Sequence, residues 1–164
     1  MARWSKLQRQ LYVIIDPTIK FQIQCRVTRM NSQYGSTDFP RYWITLGKEV
    51  IWDYPNQFFN TRHPRRRNPA YWPYSTDISA ISELIREYID TPRGMLMTKQ
   101  FDDDHWGLIN ILRAADSRIG VRQWQRLSKK THNIAALKVL ECRMGLHEKR
   151  RADSGGGDIP NGQG

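Results

Sequence analysis

The chain has 164 residues, 39% of them apolar, enough for one domain to bury a core without a disulfide or metal staple. Lys and Arg number 26 against 16 Asp and Glu, and the formal charge of +10 draws polyanions or an anionic partner. Only Cys25 and Cys142 are present, too far apart for a Cys-x-x-Cys centre or a disulfide framework, and no stretch approaches the roughly 18 apolar residues of a membrane span.

Taken in chain order, Trp4, Leu7, Leu11, Ile14 and Ile15 recur at helical spacing and predict a helix over 4–15, stopped by Asp16 and Pro17. Phe21, Ile23, Cys25 and Val27 then alternate with Gln22, Gln24, Arg26 and Thr28, the pattern of a strand with one covered and one wet face. Residues 31–40 read as a polar connection. A hairpin is expected next, 41–46 and 49–54 about a Gly47-Lys48 turn, with Thr45 facing Val50, Ile44 facing Ile51 and Trp43 facing Trp52.

Residues 55–74 lose periodicity and read as a long loop holding Arg62, Arg65, Arg66 and Arg67 beside Tyr71, Trp72 and Tyr74. A helix over 77–90 follows, then one over about 103–116 opening under Asp102, Asp103 and Asp104. A third is expected over 121–130 and a fourth from Asn133 to about Met144, with Gly145 as its capping glycine. The fold class is therefore α+β: a small antiparallel sheet of three or four strands early in the chain, packed with an N-terminal helix and a helical C-terminal half. Residues 1–147 are expected to form one domain and 148–164 a disordered, Gly-rich tail.

Few constellations point to chemistry. Asp102–Asp104 with His105 lacks a spaced partner for a metal and suits a capped helix start; Gly155–Gly157 has no strand before it and reads as linker. His63, His105, His132 and His147 are scattered, so no catalytic, metal or cofactor residue is assigned. Positive charge gathers twice. Arg62, Arg65, Arg66 and Arg67 could grip phosphates while Tyr71, Trp72 or Tyr74 stack on bases. In the 121–130 helix, Arg122, Arg126, Lys129 and Lys130 share one arc, opposite Val121, Trp124 and Leu127.

Four blocks carry a resemblance: Arg3–Leu7, Trp43–Trp52, Ala115–Gly120 and Leu140–Gly145. With a Trp-Ser-Lys-Leu start, a Trp-Ile-Thr strand followed by Gly-Lys-Glu, and a Cys near the end of the last helix, the chain resembles a small family of uncharacterised bacterial proteins over about 3–145. The resemblance implies one compact bacterial domain and brings no activity. Here Glu141 precedes Cys142 where the family has Arg.

Function is read accordingly as a non-enzymatic interaction or binding protein, cytoplasmic, with a protein partner or nucleic acid and no membrane. One alternative is nucleic-acid (polyanion) binding through the basic loop and the basic helix face. Another is a hydrolase or transferase whose site is assembled from distant residues.

Overall fold

A computed structural model describes residues 3–32, 35–54, 57 and 80–155. The fold is α+β; among the described residues it comprises a three-stranded antiparallel sheet and five α-helices, in the order α1 (Trp4–Ile14), β1 (Phe21–Ser32), β2 (Gly35–Leu46), β3 (Glu49–Tyr54), α2 (Ala80–Ile89), α3 (Leu108–Ala115), α4 (Val121–Lys130) and α5 (Ile134–Gly155). The strands form a meander, β1-β2-β3. Its inner face buries Phe21, Ile23, Tyr42, Ile44, Trp52 and Tyr54, and the helices close over them with Leu11, Ile85, Leu112 and Val139 among the buried side chains. Trp4 meets Tyr42 edge-on at 5.4 Å, Trp106 meets Tyr54 at 5.0 Å, and the Tyr42 hydroxyl pairs with the Ser82 hydroxyl at 2.8 Å.

Of the expected polar connection over 31–40, residues 31–32 and 35–40 are instead strand, and 33–34 lie outside the described residues. β1 and β2 stay paired from Phe21↔Leu46 out to Ser32↔Gly35. Antiparallel backbone pairing extends the ladder past the apolar face, so alternation on the first half of β1 underestimates its length. The covered stripe of β1 also ends early, since Val27 is 53% exposed. Pro40 sits in the central strand opposite Val27 of β1, beyond the Tyr42–Leu46 stretch that pairs with β3.

Gly47 adopts φ +63°, as the first position of a tight hairpin turn requires, and Thr45 faces Val50 as expected. The register then slips at a bulge, placing Ile44 opposite Trp52 and Trp43 opposite Asp53. The extra residue lets Ile51 and Trp52 both be buried although they are adjacent. On the outer face Arg41 donates to Asp53 at 2.8 and 2.9 Å and lies 4.6 Å over the Trp43 ring.

At the free side of β1, Ile23 is engaged by α1. The Tyr12 hydroxyl accepts from the Ile23 N–H at 3.1 Å and donates to its carbonyl at 3.2 Å, and Gln8 Nε2 donates to the same carbonyl at 2.7 Å.

Two helix ends differ from the periodicity reading, the start of α3 and the end of α5. The part of α2 that is described, from Ala80, buries Ile81, Leu84, Ile85 and Tyr88, while the expected start over 75–79 lies outside the described residues. α3 starts at Leu108, not 103: the Asp104 carboxylate receives the Leu108 and Ile109 N–H groups at 3.0 Å each, leaving Trp106 free to send its carbonyl to Trp52 Nε1. Gly107 at φ +71° makes that turn, and a Cβ there would lie 2.6 Å from Asn133 Nδ2. Asn133 caps α5 as expected, its Oδ1 accepting from Ala135 and Ala136. Gly145, however, does not end α5. A mid-helix glycine costs about 1 kcal/mol relative to alanine, whereas Leu146 packs on the core and His147 meets Trp124 edge-on at 5.9 Å. Residues 148–155, expected in a disordered tail, are thus exposed helix; 156–164 lie outside the described residues.

The helical half is fastened by charged groups inside the core. Arg143, only 4% exposed, donates to Asp16 Oδ2 at 2.9 Å, to the Ala114 carbonyl at 2.9 Å and to the Asp116 carbonyl at 3.0 Å. Asp116, fully buried, accepts from the Tyr88 hydroxyl at 2.7 Å and from the Arg118 side chain at 2.8 Å. An isolated bridge, Ile15↔Asp116, ties the end of α1 to the end of α3. Cys25 and Cys142 are free and half-buried, and burial pushes the Cys25 thiol up.

Removing the fork while keeping the stem, as in Arg143→Met, is expected to cost about 3–5 kcal/mol, because Asp16 and the carbonyls lose their donor inside the protein. The urea midpoint checks it. Burial pushes the Asp16 carboxyl up, but Thr18 and Arg143 outweigh it and hold the group below the usual carboxylate range. Its contribution is therefore present above the ordinary Asp value of about 3.9 and is lost as pH falls through the lowered folded value. Asp16→Asn should differ from the parent in stability near neutral pH and converge with it in acid, as followed by denaturation at each pH.

Candidate functional site

α4 owes its orientation to its buried side. Trp124 and Leu127 enter the core, Trp124 Nε1 donates to the Ile119 carbonyl at 3.0 Å, and the Arg143 guanidinium lies 4.4 Å from the Trp124 ring centre. At the helix start, the Gln123 and Trp124 N–H groups bond the Gly120 carbonyl while the Gln123 side chain accepts from the Gly120 N–H. That roll leaves Arg122, Arg126, Lys129 and Lys130 exposed on one face. Val121, placed on the apolar arc by periodicity, is 41% exposed, because the core stops at Trp124.

Two turns of chain bring further cations to the same end of α4. Arg93 and Gly94 belong to a short 3-10 turn after α2, and Arg118 and Gly120 belong to the turn between α3 and α4. With Arg122 and Arg126 they line a cleft of about 630 Å³ that has no carboxylate in its wall. Asp116, buried beneath it, holds Arg118 by two side-chain nitrogens, and Arg118 also donates to the Thr91 carbonyl at 3.2 Å. Burial alone would lower the Arg118 pKa, but the Asp116 contacts raise it, so this guanidinium is fixed and charged. Arg93, Arg122 and Arg126 have no ion-pair partner among the described residues.

Of the residues singled out from sequence, Arg122, Arg126, Lys129 and Lys130 come together as expected. Arg62, Arg65, Arg66 and Arg67, with Tyr71, Trp72 and Tyr74, lie outside the described residues. Arg93 and Arg118 were not legible: no local period connects a turn after Pro92 to one after Asp116. The one signal was that Arg118 falls in the Ala115–Gly120 block of the resemblance.

The remaining features are structural. Arg113 lines a second hollow, of about 510 Å³, but is spent on the Leu96 and Lys99 carbonyls and on Asn110. Among the described residues no group of three or more His, Cys, Asp or Glu could hold a metal ion, and no helix is long and apolar enough to cross a membrane. Asp104 of the acidic triplet serves the α3 start, and His105 packs edge-on against Trp106.

The model of the SF0329 protein family matches residues 3–144. No curated protein and no solved structure matches the chain.

The cleft arginines should separate in unfolding experiments. Arg93→Ala, Arg122→Ala and Arg126→Ala are expected to stay within about 0.5 kcal/mol of the parent, as exposed groups without partners do. Arg118→Ala is expected to lower the thermal midpoint, because it leaves the buried Asp116 short of its guanidinium.

Proposed function

The chain belongs to the SF0329 protein family, and we propose that it is a binding protein whose ligand is nucleic acid, held by its phosphates along the exposed face of α4. One observation carries this reading. No Asp or Glu occurs from Ser117 to Leu140, and within that stretch Arg122, Arg126, Lys129 and Lys130 stand on one helix face with no carboxylate partner among the described residues. A helix face that is merely solvated gains from acidic neighbours at i+3 or i+4. This one has none, so its cations repel each other until an anion arrives.

Successive turns at about 1.5 Å per residue set Arg122 and Lys130 some 12 Å apart along the axis, a ridge for several phosphates of one strand. Arginine forks match phosphate oxygens in pairs, and the release of condensed counterions drives such contacts. The free thiols of Cys25 and Cys142 fit a reducing, cytoplasmic compartment in a bacterium, where nucleic acid is at hand.

Fluorescence anisotropy with a labelled single-stranded oligonucleotide tests the reading. Four phosphate contacts predict a log–log salt slope of about −3, and Lys129→Gln with Lys130→Gln should make it shallower by about 1.4. Absence of binding at about 50 mM salt, where four such contacts act at near full strength, would reject this function.

A further inference from the structure

We propose that the arginine-lined cleft at the start of α4 receives the terminal phosphate monoester of a nucleic-acid strand. This deepens the nucleic-acid reading and rests on it: the ridge would hold the chain and the cleft its end. Arg93, Arg118 and the Arg122–Arg126 pair reach the cleft from three separate segments, so their convergence is a property of the folded molecule. Its volume of about 630 Å³ falls within the roughly 300–1,000 Å³ of small-ligand sites. Lys129 and Lys130, by contrast, lie outside it on the helix face.

Charge decides which phosphate fits. Arg118 is matched by Asp116, so Arg93, Arg122 and Arg126 remain unmatched over a wall without carboxylates. A phosphodiester within a strand carries one negative charge and offers two free oxygens. A monoester carries about −1.5 to −2 and offers three strong acceptor oxygens, which suits three free forks. Arg118 is anchored by Asp116 and Thr91, and Asp116 in turn by Tyr88, so one wall of the cleft is ordered before a ligand arrives. Gly94 and Gly120 bring no side chain to the lining.

The test measures binding of the full chain to single-stranded oligonucleotides ending in a 5′-phosphate, a 3′-phosphate or hydroxyls, with a longer hydroxyl-ended strand of matched charge. One phosphorylated end should bind about tenfold tighter than both hydroxyl-ended strands. Arg93→Ala should bring that ratio close to one. Lys129→Gln with Lys130→Gln should weaken every strand and keep the ratio. Equal affinity for all ends would overturn the cleft proposal and leave the ridge standing, whereas no binding of any strand would overturn both. A preference that survives Arg93→Ala would remove the cleft from the explanation. So would a phosphoserine peptide that competes as well as the phosphorylated strand, since the ligand would then be a protein.

Discussion

A guanidinium withdrawn from water has to recover its hydration from the protein, and Arg143 recovers it from segments that are far apart in the chain. Asp16 lies just past α1, Ala114 near the end of α3 and Asp116 in the turn that leads to α4. One side chain of α5 therefore sets the mutual distances of three others. Buried ion pairs are poor sources of net stability, because desolvation offsets much of the attraction. Removing one partner, by contrast, strands a charge inside the helical half, which costs far more than the pair itself contributes.

The same group reaches α4 through Trp124. Its guanidinium covers the inner ring of α4, and the rotation of α4 about its axis follows from where that ring lies. Asp116 acts as the second node, its backbone carbonyl serving Arg143 and its carboxylate serving Tyr88 and Arg118. Interior and surface are thus connected by the contact of Arg143 with the Trp124 ring and by the Asp116–Arg118 ion pair. The cations facing solvent inherit their positions from cations that do not.

Much of this was legible in the sequence, and the division is physical. Periodicity located α1, α4 and the inner face of β1 because each is decided by local burial, and Asn133 announced α5 through its capping chemistry. The β2–β3 register was missed beyond Thr45 since a bulge is chosen by what packs on both sides of Ile51 and Trp52. Residues 31–40 were misread because polar composition conceals a ladder made from backbone alone. Gly145 was read as a stop because its intrinsic cost is local and the His147–Trp124 contact that offsets it is not. The basic helix face was visible as an arc, while Arg93 and Arg118 join it only through tertiary turns. The resemblance blocks Ala115–Gly120 and Leu140–Gly145 hold Asp116, Arg118 and Arg143, so the polar core was written in those blocks before its geometry gave them a purpose.

The Tyr12 hydroxyl at Ile23 has a consequence for the protein in bulk. An uncovered strand edge is a template on which another chain can crystallise its own backbone, and a sheet with such an edge has an upper limit on safe concentration. Here a phenol and an amide from α1 imitate one residue of a neighbouring strand, saturating the Ile23 donor and acceptor together. At that point on β1 an incoming strand finds no vacancy. The guard at that position of the strand edge belongs to the first helix and not to the sheet.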